Sequence, residues 1–411
     1  MPSLLKASLC CALLRLAAPL ALAADAAASC SLDAVLAAAR LRSPELLAAA
    51  ALGDMGAADR AGVLEHPNPE IEFALGDAEA DDGTRGSETS WSFVQPLESP
   101  GRRRARRALG ESAIAAADAE SAEATAAALA GIRRAWFALL YAERERDLLR
   151  EQADSLRQTQ ALIARRAEAG EAAGVEVLRA RVEGMRLERE AALSDAAAIE
   201  ARARLESLIG EALPGRCRLE APPVLPDPGT DRDGFLALVE ESSPEIRSAR
   251  AALERSDAAL RLERRRAAPD LALGVFGLNE IDKSALGGSL GLQIPLWSRN
   301  RGEIARRSVE SRLFGYALES ARFRVRGRAS AVWNLFVLSR GQQDALRDEI
   351  IPASSEALQI TRLAYEQGAV DLTDLLDAGR AHTQTHREAL EAARLYREAE
   401  TSLLSLRGDL R

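Results

Sequence analysis

The chain states one pattern twice, about 200 residues apart. Ser43-Pro44-Glu45-Leu46 returns as Ser243-Pro244-Glu245-Ile246, and Gln95-Pro96-Leu97 returns as Ile294-Pro295-Leu296. Trp136 returns as Trp333, and Leu205-Glu206-Ser207-Leu208-Ile209-Gly210 returns as Leu403-Leu404-Ser405-Leu406-Arg407-Gly408. The shift is nearly constant after a few early deletions. That marks a tandem duplication and predicts two pseudo-equivalent halves in one assembly.

Lys6 gives a positive start, Leu9 to Leu22 an apolar core, and Ala21-Leu22-Ala23 a small-residue cleavage site. Residues 1–23 therefore read as a secretory signal, with the mature chain beginning near Ala24. No later run reaches the ~18 apolar residues of a membrane helix. Cys30 and Cys217 remain after the signal. In an oxidising compartment a Cys30–Cys217 disulfide, two inert thiols and a lipidated Cys30 are all open. Ala27-Ala28-Ser29 lacks the large aliphatic residue expected before a lipidated cysteine. The formal charge is −8 and only 4% of residues are aromatic, while Ala, Glu, Arg and Leu dominate. Such a mixture favours long packed helices over a compact catalytic globule.

Two repeats are expected, at 24–212 and 234–411, joined by a Pro-rich linker at 213–233. Each holds a helix, two short strands and two very long helices. In the first, Ser31 to Val63 reads as one helix, with Ser31 as N-cap and Pro67 and Pro69 as its stop. Strands are expected at about 70–76 and 88–96, where Ile71, Phe73 and Leu75, then Trp91 and Phe93, alternate with small or polar residues. Asp77 to Ser87 between them is a loop. Helices follow at about 101–168 and 175–209. At ~1.5 Å per residue the first is on the order of 100 Å long. On the second, Leu178, Val182, Met185, Ala192, Ala196, Ile199 and Ala203 keep a coiled-coil spacing. The second repeat predicts strands at about 270–278 and 285–295 and helices at about 301–366 and 371–407, with a kink at Pro352.

Strands of roughly 9 residues match a tilted crossing of a bilayer. Apolar residues on one strand face suit lipid outside and water inside. Four strands cannot close a barrel, and open edges are not tolerated in lipid. If the strands cross the membrane, the chain must oligomerise. The plainer alternative is two soluble hairpins in a small domain.

Gln95-Pro96-Leu97-Glu98-Ser99-Pro100-Gly101-Arg102-Arg103-Arg104 and Ile294-Pro295-Leu296-Trp297-Ser298-Arg299-Asn300-Arg301-Gly302 resemble the strand-to-helix junctions of TolC-like outer-membrane efflux proteins, in their cobalt–zinc–cadmium branch. The hairpin tips Gly170 to Leu178 and Gly368 to Leu376 resemble that family's periplasmic tips, and the resemblance covers the whole mature chain. It implies a membrane α+β fold: a homotrimer whose strands close a 12-stranded β-barrel above a periplasmic α-helical barrel. It also implies a periplasmic adaptor, an RND-type inner-membrane pump and a Gram-negative outer-membrane location. Adaptor contacts would fall on Gly170, Gly174, Val175, Leu178, Gly368, Leu372 and Leu376. Acids of the family's closed pore mouth match Asp374 and Asp377, beside Asp371. Glu176 and Tyr365 match an acid–tyrosine latch, whose arginine falls on Val370 here.

From the residues themselves, Asp371 and Asp374 are helix N-terminal acids favoured by the macrodipole. The first tip carries Glu171 and Glu176 instead. Arg102 and Arg103, directly after a strand, suit headgroup anchoring, and Trp91 and Trp297 suit an interfacial belt. His382 and His386 stand four apart on a helix, the spacing of a shared metal. They also lie on a packing seam, and no metal is assigned to them. Scarce methionine weighs against a thioether path for Cu(I) or Ag(I).

No nucleophile–base or paired-carboxylate constellation stands out, so no enzyme and no cofactor is expected. The expected function is the passive outer-membrane exit duct of a tripartite pump exporting heavy-metal cations. The alternatives are a duct for drug efflux or type I protein secretion, and a soluble periplasmic coiled-coil scaffold without a pore.

Overall fold

The computed structural model describes residues 28–410, apart from 80, 82, 84, 171, 216, 224–230, 282 and 298. The expected signal at 1–23, Glu171 of the first tip and Ser298 of the second junction lie outside the described residues.

Chain order runs β1 (Ala28–Ser29), α1 (Leu32–Arg42), α2 (Pro44–Leu64), β2 (Glu70–Glu79), β3 (Arg85–Leu97), α3 (Pro100–Glu168) and α4 (Gly174–Ile209). It continues with β4 (Cys217–Arg218), α5 (Arg232–Ser242), α6 (Pro244–Arg266), β5 (Asp270–Asn279) and β6 (Ser284–Gln293). The last part is α7 (Arg301–Ala345), a π-helical turn (Leu346–Ile350), α8 (Ile351–Glu366) and α9 (Leu372–Arg407).

Two helices differ from the sequence expectation. Ser31 to Val63 is not one helix: it breaks at Ser43, whose backbone is extended (φ −61°, ψ 122°). Proline disfavours helical geometry in the residue before it but is well suited to the first turn of a new helix, so Pro44 closes α1 and opens α2. Ser243-Pro244 does the same between α5 and α6. The helix expected at 301–366 carries five residues of π-helix ahead of Pro352. Proline has no N–H and its ring crowds the carbonyl four residues back, so a widened turn relieves both conflicts there.

β2, β3, β5 and β6 form one antiparallel sheet in that order. Its register puts Phe73 beside Trp91, Trp91 beside Gly277 and Gly277 beside Leu286. Rows of this kind place Ile71, Phe73, Leu75, Phe93, Val275 and Leu290 on one face, all exposed. Gly277 leaves room for the Trp91 indole; any Cβ there would collide with it.

Beyond the sheet the helices pack side by side. Near the sheet α2 packs on α3, α3 on α6 and α6 on α7; farther away α4 packs on α3, α3 on α9, and α9 on α7 and α8. Small buried residues along α3 (Gly110, Ala113, Ala117) allow close approach, and Gly56 of α2 meets Ala117 there.

The waist of the molecule holds two pseudo-equivalent cores. Trp136 is fully buried, and its indole Nε1 donates to the Cys30 carbonyl at 3.1 Å. Its counterpart Trp333 stacks on Phe235, with ring centroids 5.2 Å apart. Gly210 (φ +80°) ends α4 against Pro44, and Gly408 (φ +75°) ends α9 against Pro244. Both take the left-handed cap conformation that glycine adopts without steric cost. Cys30 and Cys217 are disulfide-bonded, which ties the N-terminal strand to the linker. Between the repeats, buried Arg397 and Glu400 of α9 pair at 3.1 Å, and Arg133 of α3 reaches the same carboxylate at 3.3 Å.

Candidate functional site

At the end farthest from the sheet, the two hairpin tips meet. Gly170 (φ +80°) and Gly368 (φ +75°) turn the chain after α3 and α8. Ile163, Ala180, Tyr365, Leu372 and Leu375 form a small buried core that joins the tips. Leu372, expected among adaptor contacts, is only 2% exposed and belongs to this core. Leu376 is half-buried against it, while Gly170, Gly174, Val175, Leu178 and Gly368 are exposed.

Polar bonds reinforce the joint. Arg380 of α9 donates to both carboxylate oxygens of Glu183 on α4, each at 2.7 Å. Its third nitrogen reaches Asp377 at 2.8 Å. One heptad along, Arg387 reaches Glu190 of α4 at 3.5 Å and Glu145 of α3 at 2.9 Å. Arg179 donates to the Thr373 hydroxyl at 3.2 Å. Donation by Arg380 holds the Glu183 carboxyl below its ordinary value. Asp371 and Asp374 form a reciprocal capping box: the Asp374 N–H donates to Asp371 at 3.0 Å, and the Asp371 N–H to Asp374 at 3.4 Å. All three aspartates remain exposed to solvent.

Tyr365 and Glu176 are neighbours, but the Tyr365 hydroxyl makes no hydrogen bond to Glu176. The guanidinium of Arg166 lies 5.4 Å from the Tyr365 ring centroid. Burial raises the phenol pKa, and the negative charge of Glu176 raises it further. A cation therefore does sit at this joint, but it comes from α3 rather than from position 370, which is Val370. Sequence reasoning missed Arg166, Arg179, Glu183 and Arg380. The repeat offers no signal for them: α4 and α9 align at an offset of 198, from the caps Gly210 and Gly408, which places Glu183 opposite Ala381 rather than Arg380.

A groove of about 300 Å³ runs between the hairpins, lined in part by Gln152, Leu156, Arg186, Leu358 and Gln384. His382 and His386 lie higher on α9, their ring centroids 4.4 Å apart. Among the described residues no group of three or more His, Cys, Asp or Glu is arranged to hold a metal.

At the sheet end, Arg102 pairs with Asp270 at 2.5 Å and with Glu98 at 3.5 Å, and is mostly buried. It straps the start of α3 to β5, which differs from the expected headgroup anchor; Arg103 is exposed. Trp91 stands midway along β3, not at an interfacial end. Trp297, just past β6, is 93% exposed.

Both margins of the molecule are open. β2 and β6 are sheet edges. On one side of the helix layer, α4 shows Val175, Leu178, Val182, Met185 and Ile199 to solvent; on the other, α7 and α8 show Leu313, Tyr316, Phe323, Ile360 and Leu363. Fully burying one such side chain contributes about 1.5–3 kcal/mol. No helix among the described residues is long and apolar enough to cross a membrane.

A family model described as "Outer membrane efflux protein" matches residues 35–211 and 236–409. The chain is 28% identical over 327 residues to the cobalt-zinc-cadmium resistance protein CzcC of Cupriavidus metallidurans, covering 76% of this chain and 74% of that one. Its fold is similar to that of the outer-membrane channel OprN, with TM-score 0.76, 18% identity, and 92% and 90% of the two chains covered. It is likewise similar to CusC, with TM-score 0.78, 16% identity and 92% of each chain covered. The open-state outer membrane channel MtrE of Neisseria gonorrhoeae gives TM-score 0.75 at 20% identity, covering 92% of this chain and 89% of that one. Both copies of the internal duplication fall within the matched family segments, so the chain belongs to the outer membrane efflux protein family, whose members are channels and not enzymes.

Proposed function

We propose that three copies of this chain form the passive exit duct of a tripartite efflux system, working with a periplasmic adaptor and an RND-type inner-membrane pump to export heavy-metal cations. The observation that carries the trimer is the pair of open margins. Each unpaired backbone group in lipid costs several kcal/mol, so β2 of one copy must pair with β6 of the next. Three copies of the four-stranded sheet supply the twelve strands of one barrel. The apolar stripe of α4 then closes on that of α7 and α8 from a neighbour, extending the barrel away from the membrane as a tube of helices. The rows of exposed apolar side chains on one sheet face turn to lipid.

Asp371, Asp374 and Asp377 would ring the narrow end of the tube and attract cations. Exposed Gly170, Gly174, Val175, Leu178 and Gly368 offer the adaptor a surface of small and apolar residues. The name of the 28%-identical relative supports a metal cargo. A deletion strain tests the cargo: heightened sensitivity to cobalt, zinc or cadmium, restored by the wild-type chain, is expected. Unchanged metal tolerance with heightened drug sensitivity would favour the drug-efflux alternative. Oligomeric state is tested by gel migration of the unheated protein, where a heat-sensitive trimer band is expected.

A further inference from the structure

His382 and His386 have no part in the duct as described above, yet their arrangement is particular. They stand one helical turn apart on α9, and their ring centroids are 4.4 Å apart at an interplanar angle of 60°. Zinc bonds imidazole nitrogen at about 2.0–2.1 Å, so two rings on one tetrahedral ion have centroids roughly 5 Å apart. A small rotamer adjustment spans the difference.

The other contacts leave the needed nitrogens available. His382 Nδ1 lies 3.3 Å from the Ser354 hydroxyl of α8. With Nδ1–H donating to Ser354, the lone pair of His382 Nε2 is free, the arrangement by which an outer partner fixes the tautomer of a metal ligand. His386 Nε2 is buried and has no hydrogen-bond partner among the described residues. A buried, unpartnered nitrogen calls for an explanation, and an ion is one. From α3, Glu151 adds a negative charge near His382.

We infer that His382 and His386 form a binding site for a divalent cation of the zinc class, held through their two ε-nitrogens. Imidazole ligands suit Zn²⁺, Co²⁺, Ni²⁺ and Cu²⁺. No third protein ligand joins them among the described residues. The remaining coordination positions therefore go to water, and the site exchanges its ion, unlike a closed four-ligand structural centre. The site stands on this geometry whether or not the duct's cargo is a metal.

The test is titration of the full chain, purified in detergent without a polyhistidine tag, with Zn²⁺ by calorimetry and with Co²⁺ by visible absorption. One saturable event per chain is expected, at least tenfold weaker in both His386→Ala and His382→Gln. His66→Ala, which removes the remaining histidine, should bind as the wild type does. Unheated gel migration shows which variants are folded, and either histidine variant alone suffices. No saturable event in the wild type, or equal affinity in a folded histidine variant, overturns the site. Loss of binding in these variants and metal sensitivity of the deletion strain are separate readouts, so either reading can fail without the other.

Discussion

Arg380 of the second hairpin and Glu183 of the first are bonded to each other through both carboxylate oxygens at 2.7 Å. The hairpins of the two repeats are thus joined through a pair of opposite charges. Glu190 and Arg387 repeat the arrangement one heptad on. Any movement that separates α4 from α9 within a chain must break the Arg380 fork.

Arg380→Ala should therefore loosen the tips while leaving the fold intact. The pair is partly exposed, so its contribution to stability is small, about 0.5–1 kcal/mol. Single-channel conductance should rise severalfold, with little change in thermal midpoint. Unchanged conductance would show that these tips are not held closed by this pair.

Acid should have the same effect as the substitution. Arg380 holds the Glu183 carboxyl below its ordinary value of 4.5. A depressed carboxylate contributes its full stabilisation above the unfolded value and loses it as pH falls through the folded one. Conductance of the wild type should accordingly climb as pH drops below 4.5, the ordinary glutamate value. Glu183→Gln should lack that component of the pH profile; a profile identical to the wild type would assign the titration elsewhere.

The disulfide should matter at the waist and not at the pore. It closes a loop across 187 positions and fixes the strand whose Cys30 carbonyl accepts from Trp136. Disulfides typically stabilise by about 2–4 kcal/mol. Cys30→Ser should lower the thermal midpoint by several degrees without changing conductance. An equal midpoint in reduced and oxidised wild-type protein would contradict this.

Leu75 separates a lipid-facing sheet from a soluble one. It is 81% exposed in the single chain, so on a soluble scaffold Leu75→Arg should cost less than about 0.5 kcal/mol. On the lipid face of a barrel the cost is set by depth, reaching about 2–4 kcal/mol at the midplane. Reduced insertion into vesicles is expected, with the periplasmic helices still formed by circular dichroism.

Much of the architecture was legible because its signals are local. The alternation of Ile71, Phe73 and Leu75 marks a strand, and the long proline-free runs mark helices. The break at Ser43 is announced by Pro44, whereas the expectation of one helix took only Pro67 and Pro69 as its stop. The π turn before Pro352 depends on how a helix absorbs a missing donor, which sequence spacing does not specify. The tip joint was the least legible part. Arg166, Arg179 and Arg380 resemble any solvated helix charge until folding brings their partners from the other hairpin within reach. Leu372 was expected among the adaptor contacts from the resemblance of its tip, yet it fills the core between the tips.

The most direct measurement of the central claim is planar-bilayer recording from the purified wild-type chain. The account predicts discrete conductance steps carried by the unheated trimer and lost when heating dissociates it. A folded, oligomeric protein that never conducts would contradict the duct and favour a periplasmic scaffold.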